Sequence, residues 1–308
     1  MKKIALFGAT GFIGKSLTYE FCKRNKFKVF LFSRSKNIAE DFLKSIGGNS
    51  NFSVHKYVEF TEHQYDAVLN CTGMGNPAVL KKYPADIFKV TEEFDNLSIE
   101  YAIKNPEVLY INLSTGVVYG NEIGECATDK TKSVLDFNNL LPGDYYAIAK
   151  MNAEAKHRSL SHLNIVDLRV FSFFSRFIDL DSHLLMGDIA NCIKNKKVLE
   201  TSPDDMMRDY VGPSDLMNMI ELVIQKNNIN DFFDLYTLKP TSKFEILESL
   251  GKKYGLKYTI NTNPNSHLAP TGIKKGYFSK NYKAKSIGYE PTYSSLSGIE
   301  EETRFFLS

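Results

Sequence analysis

The chain has 308 residues, 43% of them hydrophobic and 24% charged, with 19 glycines and 10 prolines; this is the composition of a globular protein with a core, and it excludes disorder as the main state. The 38 Lys and Arg against 36 Asp and Glu leave a net charge of +2, which provides no electrostatic footprint for nucleic acid or an anionic membrane. Cys22, Cys71, Cys126 and Cys192 form no CxxC pair, excluding a zinc ribbon or thioredoxin-like couple and fitting a reducing cytoplasm. The amino-terminal apolar run is broken by glycines and does not read as a signal peptide, and no apolar window is long enough to span a bilayer.

Lys3–Phe7 is a compact apolar strand, followed by a glycine-rich turn and an amphipathic helix over Phe12–Arg24. Strands are then expected at Phe27–Phe32, Ala67–Cys71, Val108–Leu113 and Ile165–Phe171, with helices at Ser35–Ile46, Ala85–Lys104 and Tyr145–Leu160 between them. Near-continuous apolar strands alternating with helices predict a doubly wound α/β fold: a parallel sheet covered on both faces. The first unit is expected over residues 1–170, receiving part of 205–235, with a smaller mixed α/β substrate lobe over 171–308. Helices near Leu184–Asn195, Ser214–Gln225 and Lys243–Tyr254 belong to that second stretch.

Gly8, Gly11 and Gly14 lie between the first strand and the first helix. In that position glycines permit a sharp turn, close approach of backbone N–H groups to a pyrophosphate and tight packing of helix on strand, with the helix amino terminus facing the phosphates. The second strand runs into Ser33, Arg34 and Ser35 instead of a carboxylate. A guanidinium and two hydroxyls suit a 2′-phosphate, so NADP(H) is favoured, with NAD(H) possible. Tyr146 and Lys150 stand at i and i+4 on a helical segment and share one face. A phenol has an ordinary pKa of about 10, and a nearby ammonium pulls it down towards useful acid–base chemistry. Tyr145 lacks such a partner, its fourth neighbour being Ala149, and Tyr19 with Lys23 repeats the spacing without the context.

The segment GATGFIG, the Tyr146–Lys150 pair about 130 residues later and LSTGVVYG before it resemble the extended short-chain dehydrogenases/reductases, the NAD-dependent epimerase/dehydratase family with a Rossmann fold. The resemblance implies further cofactor contacts from Thr10, Phe12, Ile13, Cys71, Thr72 and Gly73. It implies a third catalytic hydroxyl at Thr115, with Ser114 beside it on the substrate. Gly116 and Val117 follow, where dehydratases carry acid–base residues, so dehydration is excluded. Arg208 in RDYV resembles the arginine with which the family grips the substrate diphosphate, although Gly212 replaces the usual histidine, and Lys89 replaces a usual asparagine. The carboxyl-terminal SKNYKAKSIGYEP also resembles the family, and the likeness is faint only across 172–200.

The resemblance implies an enzyme that reduces a keto group, at C4, of a nucleotide-linked deoxysugar with NADPH, for cell-surface polysaccharide sugars. The alternative is an NAD-dependent nucleotide-sugar 4-epimerase, and the alternative of another class is a non-catalytic dinucleotide sensor, against which Tyr146 and Lys150 argue. A cytoplasmic homodimer is expected, with apolar residues on the outer faces of the Ala85–Lys104 and Tyr145–Leu160 helices as its motive. The six histidines, His55, His63, His157, His162, His183 and His267, show no metal-ligand spacing and are expected at the surface or in packing. Phe171, Phe173, Phe174 and Phe177 are expected in core and pocket wall.

Overall fold

The computed structural model describes residues 1–74, 82–120, 125–182, 184–226, 228–262 and 275–307; His183 and His267 lie outside them. The chain runs β1 (Lys3–Phe7), α1 (Phe12–Arg24), β2 (Lys28–Phe32), α2 (Lys36–Ser45), β3 (Phe52–His55), β4 (Ala67–Asn70), β5 (Leu109–Thr115) and β6 (Ile165–Val170). With the strand Asn230–Asp234 they form a seven-stranded sheet in the order Asn230–Asp234, β6, β5, β4, β1, β2, β3. Every pairing in it is parallel.

Alternation along the strands divides the core between two faces. Ile4, Leu6, Leu31, Leu69, Ile111 and Leu168 pack with Leu17 and Phe21 of α1 and with Leu216, Met219 and Ile220 of the helix Pro213–Ile224. Ala5, Phe7, Phe32, Val68 and Tyr110 pack on the other side with Phe94, Ile99 and Ala102 of the helix Asp86–Lys104.

Two strands of this sheet have no counterpart among the expected elements. Phe52–His55 is only four residues, and Asn230–Asp234 reads NDFFD, a composition with poor strand propensity. Tertiary contacts overrule it. The Asn230 amide donates to the carbonyls of His157, Leu160 and Leu163 at 3.0–3.2 Å, and Asp234 is fully buried. The helix expected from Tyr145 begins at Pro142, because the Asp144 carboxylate accepts the Leu141 N–H at 2.8 Å and caps it there. β5 runs two residues past its expected end, to Thr115.

In the second stretch, the helices Leu185–Asn195, Lys243–Tyr254 and Ser295–Thr303 surround a core that includes Phe174, Ile189, Leu199, Leu247, Leu250 and Ile299. A small sheet joins Thr241–Ser242, Met207–Arg208 and Gly276–Tyr277. Among the described residues no helix is long and apolar enough to cross a membrane.

The fully exposed positions of the two long helices are mostly polar. Asp86–Lys104 exposes Lys89, Glu92, Glu93, Asn96, Glu100 and Lys104, with Ile103 the large apolar exception, and Pro142–Ser159 exposes Asn152, Ala155 and Ser159. On the same helices Phe88 and Ile148 are half-buried, while Val90, Leu97 and Met151 pack partly against the cores beneath them.

His157 also departs from expectation. It is fully buried, with Nδ1 at 2.9 and 3.0 Å from the two Asp167 oxygens and Nε2 at 2.7 Å from Asp95. Asp95 further accepts the Tyr110 hydroxyl at 2.8 Å and the Lys156 ammonium at 2.5 Å, while Arg158 donates to Asp167 at 3.0 Å. Burial by itself lowers the imidazole pKa, but the bonds and charges of Asp167 and Asp95 outweigh it and raise the pKa to about 9. A group raised in the folded state stabilises fully below its unfolded pKa, near 6.5, and loses that contribution as pH rises through the folded value. His157→Gln is therefore expected to cost most stability below pH 6.5. Its deficit relative to wild type should shrink between about pH 7 and 10, by on the order of 3 kcal/mol. Urea unfolding of both proteins across that range checks this, and a deficit independent of pH would refute the charged imidazole.

Candidate active site

The glycine turn is built by close backbone approach. Gly8 has φ +75°, and a Cβ on it would stand 3.0 Å from the Cys71 carbonyl oxygen at the end of β4. A Cβ on Gly14 would stand 2.0 Å from the Gly8 carbonyl oxygen, so α1 can sit this close to β1 only with glycine there. The Gly11 N–H donates to that same carbonyl at 2.9 Å. Gly11 is the N-cap of α1 and has no side-chain cap, so the first-turn N–H groups of Phe12, Ile13 and Gly14 are left to serve an anion. This cradle, which side chains would fill, fits a dinucleotide pyrophosphate.

The side chains around the cradle divide the expected cofactor contacts. Phe12 stacks edge-on against Phe173 at 5.2 Å and Ile13 packs on the sheet core, so both would serve through their backbone. Thr10 and Ser33 share a hydroxyl hydrogen bond at 3.1 Å, and Ser33 also accepts the Ser35 N–H at 3.1 Å. Ser33 is thereby buried and engaged in shaping the loop, while Arg34 is exposed. Cys71, Thr72 and Gly73 follow β4, next to β1 at the point where the strand order reverses, which is where doubly wound sheets open a crevice. Thr72 donates to Asn70 Oδ1 from both its N–H, at 2.9 Å, and its hydroxyl, at 2.5 Å. Burial pushes the Cys71 thiol well above its ordinary range. Sequence reasoning missed Tyr57, whose hydroxyl accepts the Gly8 N–H at 2.9 Å from beneath the turn.

Across the crevice, Thr115, Tyr146 and Lys150 gather at the carboxyl end of β5. The Lys150 ammonium is buried and donates to the Leu113 carbonyl at 2.9 Å. Burial lowers its pKa, opposed by the charges of Asp95, Asp167 and Glu154. The Tyr146 phenol departs from the sequence expectation: burial pushes it up to about 12, and the group opposing that rise is a hydrogen bond with Thr115, not Lys150. Desolvation is the larger of the two effects.

The Ser114 hydroxyl does not share the site with that of Thr115. Neighbouring strand residues face opposite ways, and the Ser114 hydroxyl donates to Glu154 at 2.5 Å in the buried interior. Arg208 lies at the other end of the site, donating to the Met207 carbonyl at 2.9 Å with its guanidinium 5.7 Å from the Tyr277 ring centre. Asp209, its neighbour in the motif, is engaged elsewhere, accepting from Thr237 at 2.5 and 3.0 Å and from Ser295 at 2.8 Å. Tyr277 is the second residue missed from sequence. It is buried, its hydroxyl is 3.0 Å from that of Thr115, and its lone place near the carboxyl end carries no motif. Phe171 and Phe174 are buried as expected, Phe171 packing on Tyr277 at 5.1 Å.

Comparison with known proteins bears on the family and the fold. The model of the NAD dependent epimerase/dehydratase family matches residues 4–234. A UDP-glucose 4-epimerase of Lactobacillus helveticus is 21% identical over 329 residues, covering 96% of this chain and 94% of that protein. A bifunctional polymyxin resistance protein ArnA of Wigglesworthia glossinidia brevipalpis is 27% identical over 128 residues, which are 39% of this chain; this chain spans only 19% of that protein's length. Among solved structures, a UDP-glucose-4-epimerase of Stenotrophomonas maltophila with bound NAD and formylated UDP-arabinopyranose superposes with a TM-score of 0.81 at 18% identity, covering 100% of this chain and 98% of that one. At that identity the likeness is one of fold.

The cradle makes a direct prediction. Gly14→Ala places a methyl group against a backbone carbonyl, so the turn must move; overpacking of this kind costs about 1–3 kcal/mol. The variant is expected to melt lower and to bind nicotinamide dinucleotide more than tenfold more weakly, as measured by thermal unfolding and fluorescence titration with NADH and NADPH. Wild-type values in both would show that the turn does not hold the pyrophosphate.

Proposed function

The chain belongs to the NAD dependent epimerase/dehydratase family, and from that premise we propose that it is a nucleotide-sugar 4-epimerase, oxidising and re-reducing a ring carbon of a sugar carried on a nucleoside diphosphate. The observation that carries this reading is the meeting of Tyr146, Thr115 and Lys150 at the end of β5, with Gly116 and Val117 following Thr115. Oxidation followed by reduction needs one group that takes a proton and returns it, whereas loss of water needs a further acid or base. The near full-length likeness to a UDP-glucose 4-epimerase supports epimerisation over the net reduction favoured on sequence.

In this reading the glycine cradle holds the pyrophosphate of a nicotinamide dinucleotide, with Thr10, Thr72 and Gly73 around it. The dinucleotide, when bound, supplies the hydride acceptor and donor. Tyr146 takes the proton of the sugar hydroxyl as that carbon is oxidised and gives it back on reduction. Thr115 holds the same oxygen. Lys150 has three donor hydrogens, one of which Leu113 accepts, so its ammonium can also hold a ribose hydroxyl. Arg208 holds the substrate diphosphate through charge-assisted bonds.

A second reading, net reduction of a keto sugar by NADPH, draws on Arg34, which stands exposed after β2 where a carboxylate would receive the ribose of NAD. Incubation with UDP-glucose, other UDP-hexoses and nucleotide-linked 4-keto-6-deoxysugars separates the two. Epimerisation appears by NMR as a new sugar with no net change in nicotinamide absorbance, and reduction consumes NADPH.

Two variants test the roles. Removal of a general acid or base lowers rates by about 10²–10⁴, so Tyr146→Phe should lose kcat by that order while dinucleotide affinity stays near wild type. Near wild-type turnover would mean that another group moves the proton. Arg34→Ala should reduce any preference for NADPH over NADH by roughly ten- to hundredfold, the size of a lost charge-assisted contact. Equal affinity of the wild type for the two cofactors would remove the second reading.

A further inference from the structure

Thr115 offers one proton and two lone pairs, and two phenols compete for them. Tyr277 stands with its oxygen 3.0 Å from Thr115 Oγ1, and Tyr146 hydrogen-bonds the same hydroxyl. The Val117 N–H points into this cluster, 3.4 Å from Thr115 Oγ1 and also bonded to the Tyr277 oxygen. With a backbone donor on its oxygen, Tyr277 has its own proton to give, and Thr115 is there to accept it. Thr115 can then turn its single proton towards Tyr146, the arrangement in which it stabilises a phenolate.

We propose that Tyr277 is a positioning residue, whose phenol donates to Thr115 and so aims the Thr115 proton at the Tyr146 oxygen. The inference rests on the reading of Tyr146 as the proton-transfer group.

Tyr277 is placed firmly enough for this work. It lies on the two-residue strand Gly276–Tyr277, in parallel register with Arg208. A Cβ on Gly276 would stand 1.9 Å from the Glu125 carbonyl oxygen, so that strand lies against the chain at residue 125 with no room to spare. The ring packs on Phe171 at 5.1 Å and beneath the Arg208 guanidinium. Tyr277 thus joins the end of the site assigned to the diphosphate to the hydroxyl beside the reacting oxygen. Burial drives both phenols up, and a bond from Thr115 opposes the rise in either one. One proton cannot serve both, so the donor on Tyr277 decides which phenol is relieved.

The test reads Tyr146 itself. Protein carrying 3-fluorotyrosine, whose phenol ionises at lower pH, is titrated by ¹⁹F NMR in the presence of NAD, with the Tyr146 resonance assigned from the spectrum of Tyr146→Phe. In Tyr277→Phe, which keeps the ring and its packing, Thr115 keeps its bond to Tyr146 but loses the bond it accepts; a hydroxyl that accepts a hydrogen bond is the stronger donor, so the Tyr146 midpoint should rise by a few tenths of a pH unit. Thr115→Val should raise it further, by about one pH unit, the effect of losing one hydrogen bond to the charged form, and adding Tyr277→Phe to Thr115→Val should move it no further. A Tyr146 midpoint unmoved in Tyr277→Phe, or a double variant that shifts by the sum of the two, would overturn the proposal. The turnover of Tyr146→Phe separately tests whether Tyr146 moves the proton; the titration reads the Thr115–Tyr277 geometry whatever the reaction.

Discussion

The Lys150 ammonium donates to the Leu113 carbonyl from a position with almost no solvent. A buried charge is tolerated only with partners and countercharge near it, and much of the surrounding structure meets that demand. Glu154 lies one turn further along the same helix, while Asp95 and Asp167 approach from the neighbouring helix and from β6. Those carboxylates require cations in turn, and His157, Lys156 and Arg158 supply them. Interlocked ion pairs thus run through the interior beneath the site, beside the apolar residues that pack sheet against helix.

The last residues of β5 connect this interior to the site. Leu113 contributes its carbonyl to Lys150, Ser114 turns inward to Glu154, and Thr115 turns outward to the two phenols. From Glu154 the charges continue through Arg169, whose guanidinium donates to it at 2.5 Å, to Asp234 at 3.8 Å. Asp234 also accepts hydrogen bonds from Tyr119, at 2.9 Å, and Ser279, at 2.5 Å. The edge strand and the carboxyl-terminal segment that carries Tyr277 are tied to β5 by this chain. Any displacement of β5 would alter the anchoring of Lys150, the contacts of Thr115 and the seat of the carboxyl-terminal segment together.

The opposite wall of the crevice depends on backbone geometry instead of charge. Gly8 and Gly14 let β1 and α1 approach to a distance that a methyl group forbids, and the exposed N–H groups of the first turn are the product of that approach. Preorganised amides and a preorganised hydroxyl cluster thus face each other across the strand-order reversal of a parallel sheet.

Local signals in the chain determined a good part of this. Strand runs such as FKVFLF, glycines at positions 8, 11 and 14 and the i, i+4 pair of Tyr146 and Lys150 are short-range patterns, and they placed the doubly wound sheet, the turn and the helix face correctly. Where polar residues form a strand, as in NDFFD, propensity gave the wrong answer because burial against β6 decides that segment. The pairing of Asp95 and Asp167 with His157, the inward turn of Ser114 and the arrival of Tyr277 beside Thr115 involve residues from 10 to 162 positions apart. No spacing rule reaches that far. The sequence alone determined the elements whose signals are local, the apolar strands, the glycine turn and the amphipathic helices, because those depend on neighbours along the chain. Only the tertiary structure decided which hydroxyls and charges share a desolvated space, and there desolvation raises the Tyr146 phenol that a reading of the Tyr–Lys pair alone would have lowered.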